Sequence, residues 1–301
     1  MIVINNLSKT YLRDKKEALK DVNLHIKKGE FTALLGQNGA GKSTLINILA
    51  GNVKKSEGSI RIGGFDLDKD ELRTKRIIGV VPQEITTGNF FTVDEVLQAQ
   101  SGYFGIKNNR EYIDELLESL SLKDKRRSMA RELSGGMKRR LMVAKALVHK
   151  PEVFILDEPT AGVDIELRHS MFDFLNKLHE HGTTIILTTH YLEEAEKLCK
   201  RVIIVDKGRI IADASTEHLL QSHSKKIMVE VHFDKELSEA DTGFLSEYSP
   251  LIEEKTKLSI KLFRQDLSKV LQMLSQRKME FADLVIEKRK LEDVYLDLIR
   301  H

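Results

Sequence analysis

Apolar positions along this chain change their period twice. Up to about residue 35 they come in short runs: Ile2 to Ile4, Val22-Asn23-Leu24-His25-Ile26 and Phe31 to Leu35. Such runs predict paired strands feeding the glycine-rich stretch that follows. After Lys42 the spacing of Leu45, Ile46, Ile48 and Leu49 is helical and stops near Gly51. Ile60 and Ile62, then Ile77 to Val81 before Pro82, predict two further short strands. From about 84 to 150 the period is helical, on Val93, Val96 and Leu97, then Ile113, Leu116, Leu117 and Leu120, then Leu141, Ala144, Leu147 and Val148.

Strand-like runs then resume. Val153 to Leu156, Thr183 to Thr188 and Val202 to Val205 alternate with helical stretches near 165–180 and from Leu192 to Leu198. Runs that short and apolar, separated by helices, predict a buried parallel sheet. Gly208 sits in an expected hairpin turn before Ile210-Ile211. Residues 215–226 are rich in Ser, His, Gln and Lys and predict a linker with a short helix. Beyond it, strands Ile227–Phe233, Leu258–Phe263 and Phe281–Ile286, with helices Leu267–Leu274 and Leu291–Leu298, predict a small α+β unit. The expected domains are 1–220, with a helical subdomain at 84–150, and 225–301.

Composition narrows the class. With 301 residues, 41% hydrophobic and 31% charged, the chain has material for one substantial core and a smaller module. A net charge of +2, from 48 basic and 46 acidic residues, gives no electrostatic case for nucleic acid. No apolar run approaches the ~20 residues that span a bilayer, and the start has no signal-peptide pattern. The single cysteine, Cys199, excludes an internal disulfide and predicts a reducing compartment and a core or half-buried position. His179, Glu180 and His181 lack the further ligands of a zinc site.

The chemistry concentrates in three places. Gly36-Gln37-Asn38-Gly39-Ala40-Gly41-Lys42-Ser43-Thr44 fits the phosphate-binding pattern G-x-x-x-x-G-K-[ST], with a strand before and a helix after. Its glycines let backbone N–H groups turn toward phosphate oxygens, and the helix start adds its positive end. Lys42 is expected to reach the β- and γ-phosphates, and Ser43 to offer a hydroxyl to Mg²⁺. Asp157 and Glu158 end an apolar strand, at the sheet edge where α/β folds bind ligands. Such a pair alone is as readily a solvated acidic turn. Beside a phosphate loop, Asp157 suits Mg²⁺ and Glu158 the attacking water as general base. The third is Leu133-Ser134-Gly135-Gly136-Met137. Alone it is a helix start, with Ser134 capping a helix from Met137. Lys138, Arg139 and Arg140 behind it suit either an anionic ligand or a solvated face.

In this order the motifs resemble the ATP-binding subunits of ABC transporters. The resemblance rests on the phosphate loop, Val81-Pro82-Gln83, Leu133 to Gly136, Ile155 to Thr160, Ala161-Gly162-Val163-Asp164 and Thr188-Thr189-His190, and covers residues 1 to about 220. Met137 to Arg140, Tyr191 to Glu196 and Leu291 to Leu296 resemble the bacterial exporters of drugs, polysaccharides and lipid conjugates. The resemblance implies a P-loop NTPase fold of the ABC ATPase type: α/β, with a mixed, mainly parallel sheet, antiparallel N-terminal strands and a helical subdomain. It implies that Gln83 senses Mg²⁺ and the attacking water, that His190 contacts the γ-phosphate, that Asp164 lies at a dimer interface and that Tyr11 stacks on adenine. Met137 replaces the family's usual glutamine, which removes a side-chain amide while leaving the backbone and Ser134 contacts.

The expected function follows from that resemblance. ATP, with Mg²⁺, is hydrolysed by two copies facing head to tail, the Ser134–Gly136 turn of one covering the ATP of the other. A separately encoded transmembrane permease is the partner, and the cytoplasmic face of the membrane the location, with no nucleic acid involved. An importer ATPase shares every catalytic residue. A soluble member acting in translation usually carries two cassettes, and DNA-repair members insert coiled coils for which the interval from Ser43 to Asp157 has no room.

Overall fold

Strand residues that are apolar on both faces need cover on both sides, and they receive it here. In the computed structural model, residues 1–12, 15–86, 90–160, 165–222, 226–287 and 290–300 are described. The chain forms two compact units, Met1–Ser215 and Thr216–His301.

The first unit begins with strands β1 (Ile2–Tyr11), β2 (Lys16–Ile26) and β3 (Phe31–Leu35), then helix α1 (Lys42–Leu49). It continues through β4 (Glu57–Ile62), β5 (Phe65–Asp66), α2 (Glu71–Ile77) and β6 (Ile78–Val81). Next come α3 (Val93–Tyr103), α4 (Arg110–Ser119) and α5 (Gly135–Leu147), where the helical period was read. Then follow β7 (Val153–Asp157), α6 (Ile165–Glu180), β8 (Thr184–Thr188), α7 (Leu192–Leu198), β9 (Arg201–Asp206) and β10 (Arg209–Ser215).

Two sheets result. One is antiparallel, in the order β2-β1-β4-β5; the other runs β10-β9-β3-β8-β7-β6. Neighbours from β9 to β6 pair in parallel, and only β10 joins as a hairpin. All five residues of β3, β7 and β8 are buried, which accounts for their unbroken apolar character. The core gathers Ile2, Ile4 and Ile62 of the first sheet, Leu45 and Ile48 of α1, and Leu34, Ile155, Ile186 and Ile203 of the second. Helix α3 is fixed at its start by a capping box, in which Thr92 accepts from the Glu95 amide and Glu95 accepts from the Thr92 amide.

The parallel order fixes the site. Strands β3, β8, β7 and β6 end at one edge, so the segments after them converge there. Those segments carry the phosphate loop, His190, Glu158 and Gln83.

The second unit holds α8 (Thr216–Ser222), β11 (Lys226–His232), α9 (Glu239–Thr242), β12 (Leu251–Glu253), β13 (Lys257–Phe263), α10 (Leu267–Gln276), β14 (Asp283–Glu287) and α11 (Leu291–Arg300). Its strands pair antiparallel in the order β12-β13-β11-β14, the arrangement of a split βαβ unit. Val229, Val231, Leu258, Ile260 and Leu262 close its core with Val270 and Leu274 of α10. The short helix expected inside a linker is α8, which packs against α11.

Candidate functional site

The phosphate loop takes its shape from close backbone approaches. A Cβ at Gly36 would run into the carbonyl oxygen of Val205, and one at Gly41 would lie 2.6 Å from that of Ala18. Gly41 also takes φ 116°, a left-handed conformation, as the cap of α1. Because α1 opens at Lys42, the N–H groups of Lys42, Ser43 and Thr44 have no carbonyl one turn back and are available to a ligand. Lys42 Nζ folds over the loop and donates to the carbonyls of Gly36 (2.6 Å) and Gln37 (3.1 Å). Burial lowers its pKa, while the charges of Glu158 and Asp157 oppose that shift.

These residues border a cavity of about 190 Å³. Gln37, Asn38, Gly39, Gly41, Lys42, Ser43 and Thr44 line it, together with Tyr11, Lys16 and Ala18 and with Gln83 and Glu158. Gly36, Ala40, Asp157 and His190 are not among its lining residues. No sequence motif marks Lys16. The pairing of β1 with β2 sets it opposite Tyr11, a relationship that needs the hairpin register.

At the acidic edge the expected residues meet. Asp157 is 7% exposed and accepts a 2.5 Å hydrogen bond from Thr188 Oγ1. Glu158 has φ 49°, a costly left-handed position for a non-glycine residue. Its amide holds that turn by donating to both the carbonyl and the hydroxyl of Thr188, each at 3.1 Å. Gln83 Nε2 donates to Glu158 Oε2 at 2.9 Å, and His190 Nδ1 stands 3.5 Å from the same oxygen. Gln83 and His190, from the segments after β6 and β8, therefore share the carboxylate that follows β7.

The Ser-Gly-Gly turn lies elsewhere. Ser134 caps α5, its Oγ accepting from the amide of Met137 at 3.3 Å, and the helix begins at Gly135, two residues before the expected start. Ser134, Gly135 and Gly136 do not line the cavity that holds Lys42 and Glu158. Asp164 lies outside the described residues. The basic run divides on inspection of its contacts. Arg139, at 3% exposure, gives its guanidinium to the carbonyls of Pro82, Gln83 and Glu158, and Arg140 gives its own to those of Leu120 and Ser121. Neither solvent nor an anion takes Arg139, because its position four residues after Gly135 turns it onto the buried face of α5.

The sequence profile of the family described as ABC transporter matches residues 19–161. The linearmycin resistance ATP-binding protein LnrL of Bacillus subtilis (strain 168) is 40% identical over 214 residues, 70% of this chain and 68% of that protein. The chain belongs to the ABC transporter family. Nod factor export ATP-binding protein I of Paraburkholderia xenovorans (strain LB400) is 36% identical over 304 residues, covering 99% of this chain and 96% of that one. Among solved structures, the ATP-binding cassette MJ0796, dimeric in a post-hydrolysis state with ADP and Pi, has a TM-score of 0.66 at 31% identity. That match covers 72% of this chain and 99% of the cassette. The ABC ATPase fold and ATP-hydrolysing activity of the family are those of this chain. Among the described residues, no helix is long and apolar enough to cross a membrane.

Proposed function

We propose that this ABC ATPase energises export through a separately encoded membrane permease, as a head-to-tail pair of copies at the cytoplasmic face. The convergence of Gln83 and His190 on Glu158, beside the cavity lined by the phosphate loop, carries the hydrolytic part of this reading. The export part is supported by the names of the relatives, which speak of export and resistance.

Mg²⁺ fits the residues present. Ser43 brings a hydroxyl and Gln83 a carboxamide to the cavity, and Asp157 brings a carboxylate beside it. Among the described residues no cluster of three or more His, Cys, Asp or Glu forms a metal cage. Mg²⁺ needs none, since it characteristically takes one or two carboxylates together with phosphate oxygens. When bound, it neutralises charge developing on the β- and γ-phosphates.

The chain's own residues supply the rest. N–H groups of the loop and of the first turn of α1 cradle the phosphates, and Lys42 exchanges the Gly36 and Gln37 carbonyls for phosphate oxygens. Tyr11 offers its ring to the adenine. Glu158 accepts the proton of the attacking water, Gln83 orients that carboxylate and His190 holds the γ-phosphate side. Ser134, Gly135 and Gly136 of each copy close over the other copy's nucleotide. Hydrolysis removes the contact that holds the pair closed and drives the permease.

Purification of the chain with its membrane partner and reconstitution in vesicles tests this reading. ATP-dependent movement of solute away from the side bearing this chain is expected. Movement toward that side assigns import, and the absence of any membrane partner removes the transport reading.

A further inference from the structure

We propose that Arg139 is a positioning residue, locking the catalytic edge of its own subunit to the helix that carries Ser134, Gly135 and Gly136. The inference rests on the head-to-tail reading above, and it assigns a route between the two nucleotide sites.

Arg139 stands on α5, one helical turn after Gly135 and so about 6 Å along the axis from it. Its Nη1 donates to the carbonyl of Pro82 at 2.6 Å, and its Nη2 to those of Gln83 and Glu158, each at 3.0 Å. One guanidinium thus clamps the segment bearing the Gln83 amide and the turn bearing the Glu158 carboxylate. Its hydrogen-bond acceptors are neutral carbonyls, and burial lowers its pKa even though the charges of Asp157 and Glu158 oppose that shift, so a cation here is a costly way to hold a helix. An apolar side chain would fill that space at lower cost if packing were the only requirement.

Glu158 explains what the clamp adds. Its left-handed φ of 49° persists only where surrounding bonds over-determine it. Thr188 holds its amide and Arg139 its carbonyl, so the peptide groups on both sides of the strained residue are fixed. A displacement of α5, the helix whose start faces the partner's nucleotide in the dimer reading, therefore reaches Glu158 and Gln83 through a rigid planar fork. Lysine cannot reproduce that fork, since it presents one nitrogen to three carbonyls.

The test uses the full chain. Arg139→Lys keeps a buried cation without the fork, and Arg139→Gln removes the charge as a second variant. Both should unfold cooperatively and bind a fluorescent ATP analogue within about twofold of the parent. Their kcat should fall about tenfold or more at little change in KM, the split expected when an interaction made only in the transition state is lost. Mixed dimers then assign the direction, with one copy carrying Glu158→Gln so that a single site turns over. The loss should appear when Arg139→Lys shares a chain with intact Glu158. Parental kcat in both variants, or a loss that follows the Glu158→Gln chain instead, overturns the proposal. Failure to dimerise with ATP defeats the head-to-tail reading separately, and the kcat result then decides the clamp alone.

Discussion

Gln83 and Glu158 stand 75 residues apart in the chain, yet the amide of one donates to the carboxylate of the other at 2.9 Å. They meet because β6 and β7 are parallel neighbours, pairing from Ile78 with Val153 to Val81 with Leu156. The contact fixes the orientation of a carboxylate that has to face water during hydrolysis. Gln83→Ala should therefore lower turnover about tenfold, while the affinity for ATP stays within about twofold. Steady-state kinetics and nucleotide titration on the same preparation separate the two effects; an equal loss in both would assign Gln83 to ground-state binding.

Lys42 is held by two carbonyls in a buried position where its charge is disfavoured. A phosphate group restores a full counter-charge, so the exchange favours nucleotide strongly. Lys42→Ala should weaken ATP binding about a hundredfold, equivalent to about 2.7 kcal/mol. Isothermal titration showing parental affinity would remove Lys42 from the phosphate site.

Glu194 is buried at 2% exposure and accepts from Thr160 Oγ1 at 2.8 Å and Thr189 Oγ1 at 2.8 Å, with Arg168 Nε at 3.4 Å. It joins the segment just after Glu158 to the one just before His190. Truncation strands the two hydroxyls and removes the charge facing Arg168, and Glu194→Ala should cost about 3 kcal/mol of stability. Urea unfolding measures it, and a cost below about 1 kcal/mol would mean that water replaces the carboxylate.

His149 stacks on Phe104 with ring centroids 3.8 Å apart, and its Nε2 lies 3.0 Å from the carbonyl of Ile78. That contact assigns the proton to Nε2, while Nδ1 is buried without a hydrogen-bond partner. Burial lowers its pKa below the ordinary 6.5, against the smaller effect of the Ile78 carbonyl. The unfolded chain then takes up the proton first, so the contribution is fully present above that ordinary value and is lost as pH falls through the lowered one. The stability of the parent relative to His149→Phe, which keeps a ring against Phe104, should shrink from pH 7 to pH 5. A difference independent of pH would show that the imidazole titrates alike in both states.

How much of this was legible depended on how local each relationship is. Gly36 to Thr44 and Val153 to Glu158 carry strand, turn and chemistry within a few consecutive residues, so their spacing sufficed. The long apolar strands were legible for the same reason. Strand β5 and helix α9 were not, since two and four residues cannot display a period, and helix α2 was not because it buries only Thr74 and leaves Leu72 exposed, so no apolar face marks it. Arg139 was legible as a charge but not as a clamp. Its acceptors lie 57, 56 and 19 residues away and are backbone carbonyls, which no side-chain pattern announces. Lys16 and Thr188 belong with it: strand pairing brings each beside a residue that was already recognised.

Glu158→Gln isolates the general-base step, because it keeps the size of the side chain and removes only its capacity to take a proton. ATP binding should stay within about threefold of the parent, a dimer should be trapped on ATP, and single-turnover hydrolysis should slow about a hundredfold or more. Hydrolysis at a rate within about threefold of the parent would contradict a general base at Glu158, and would move the base to another group at this edge.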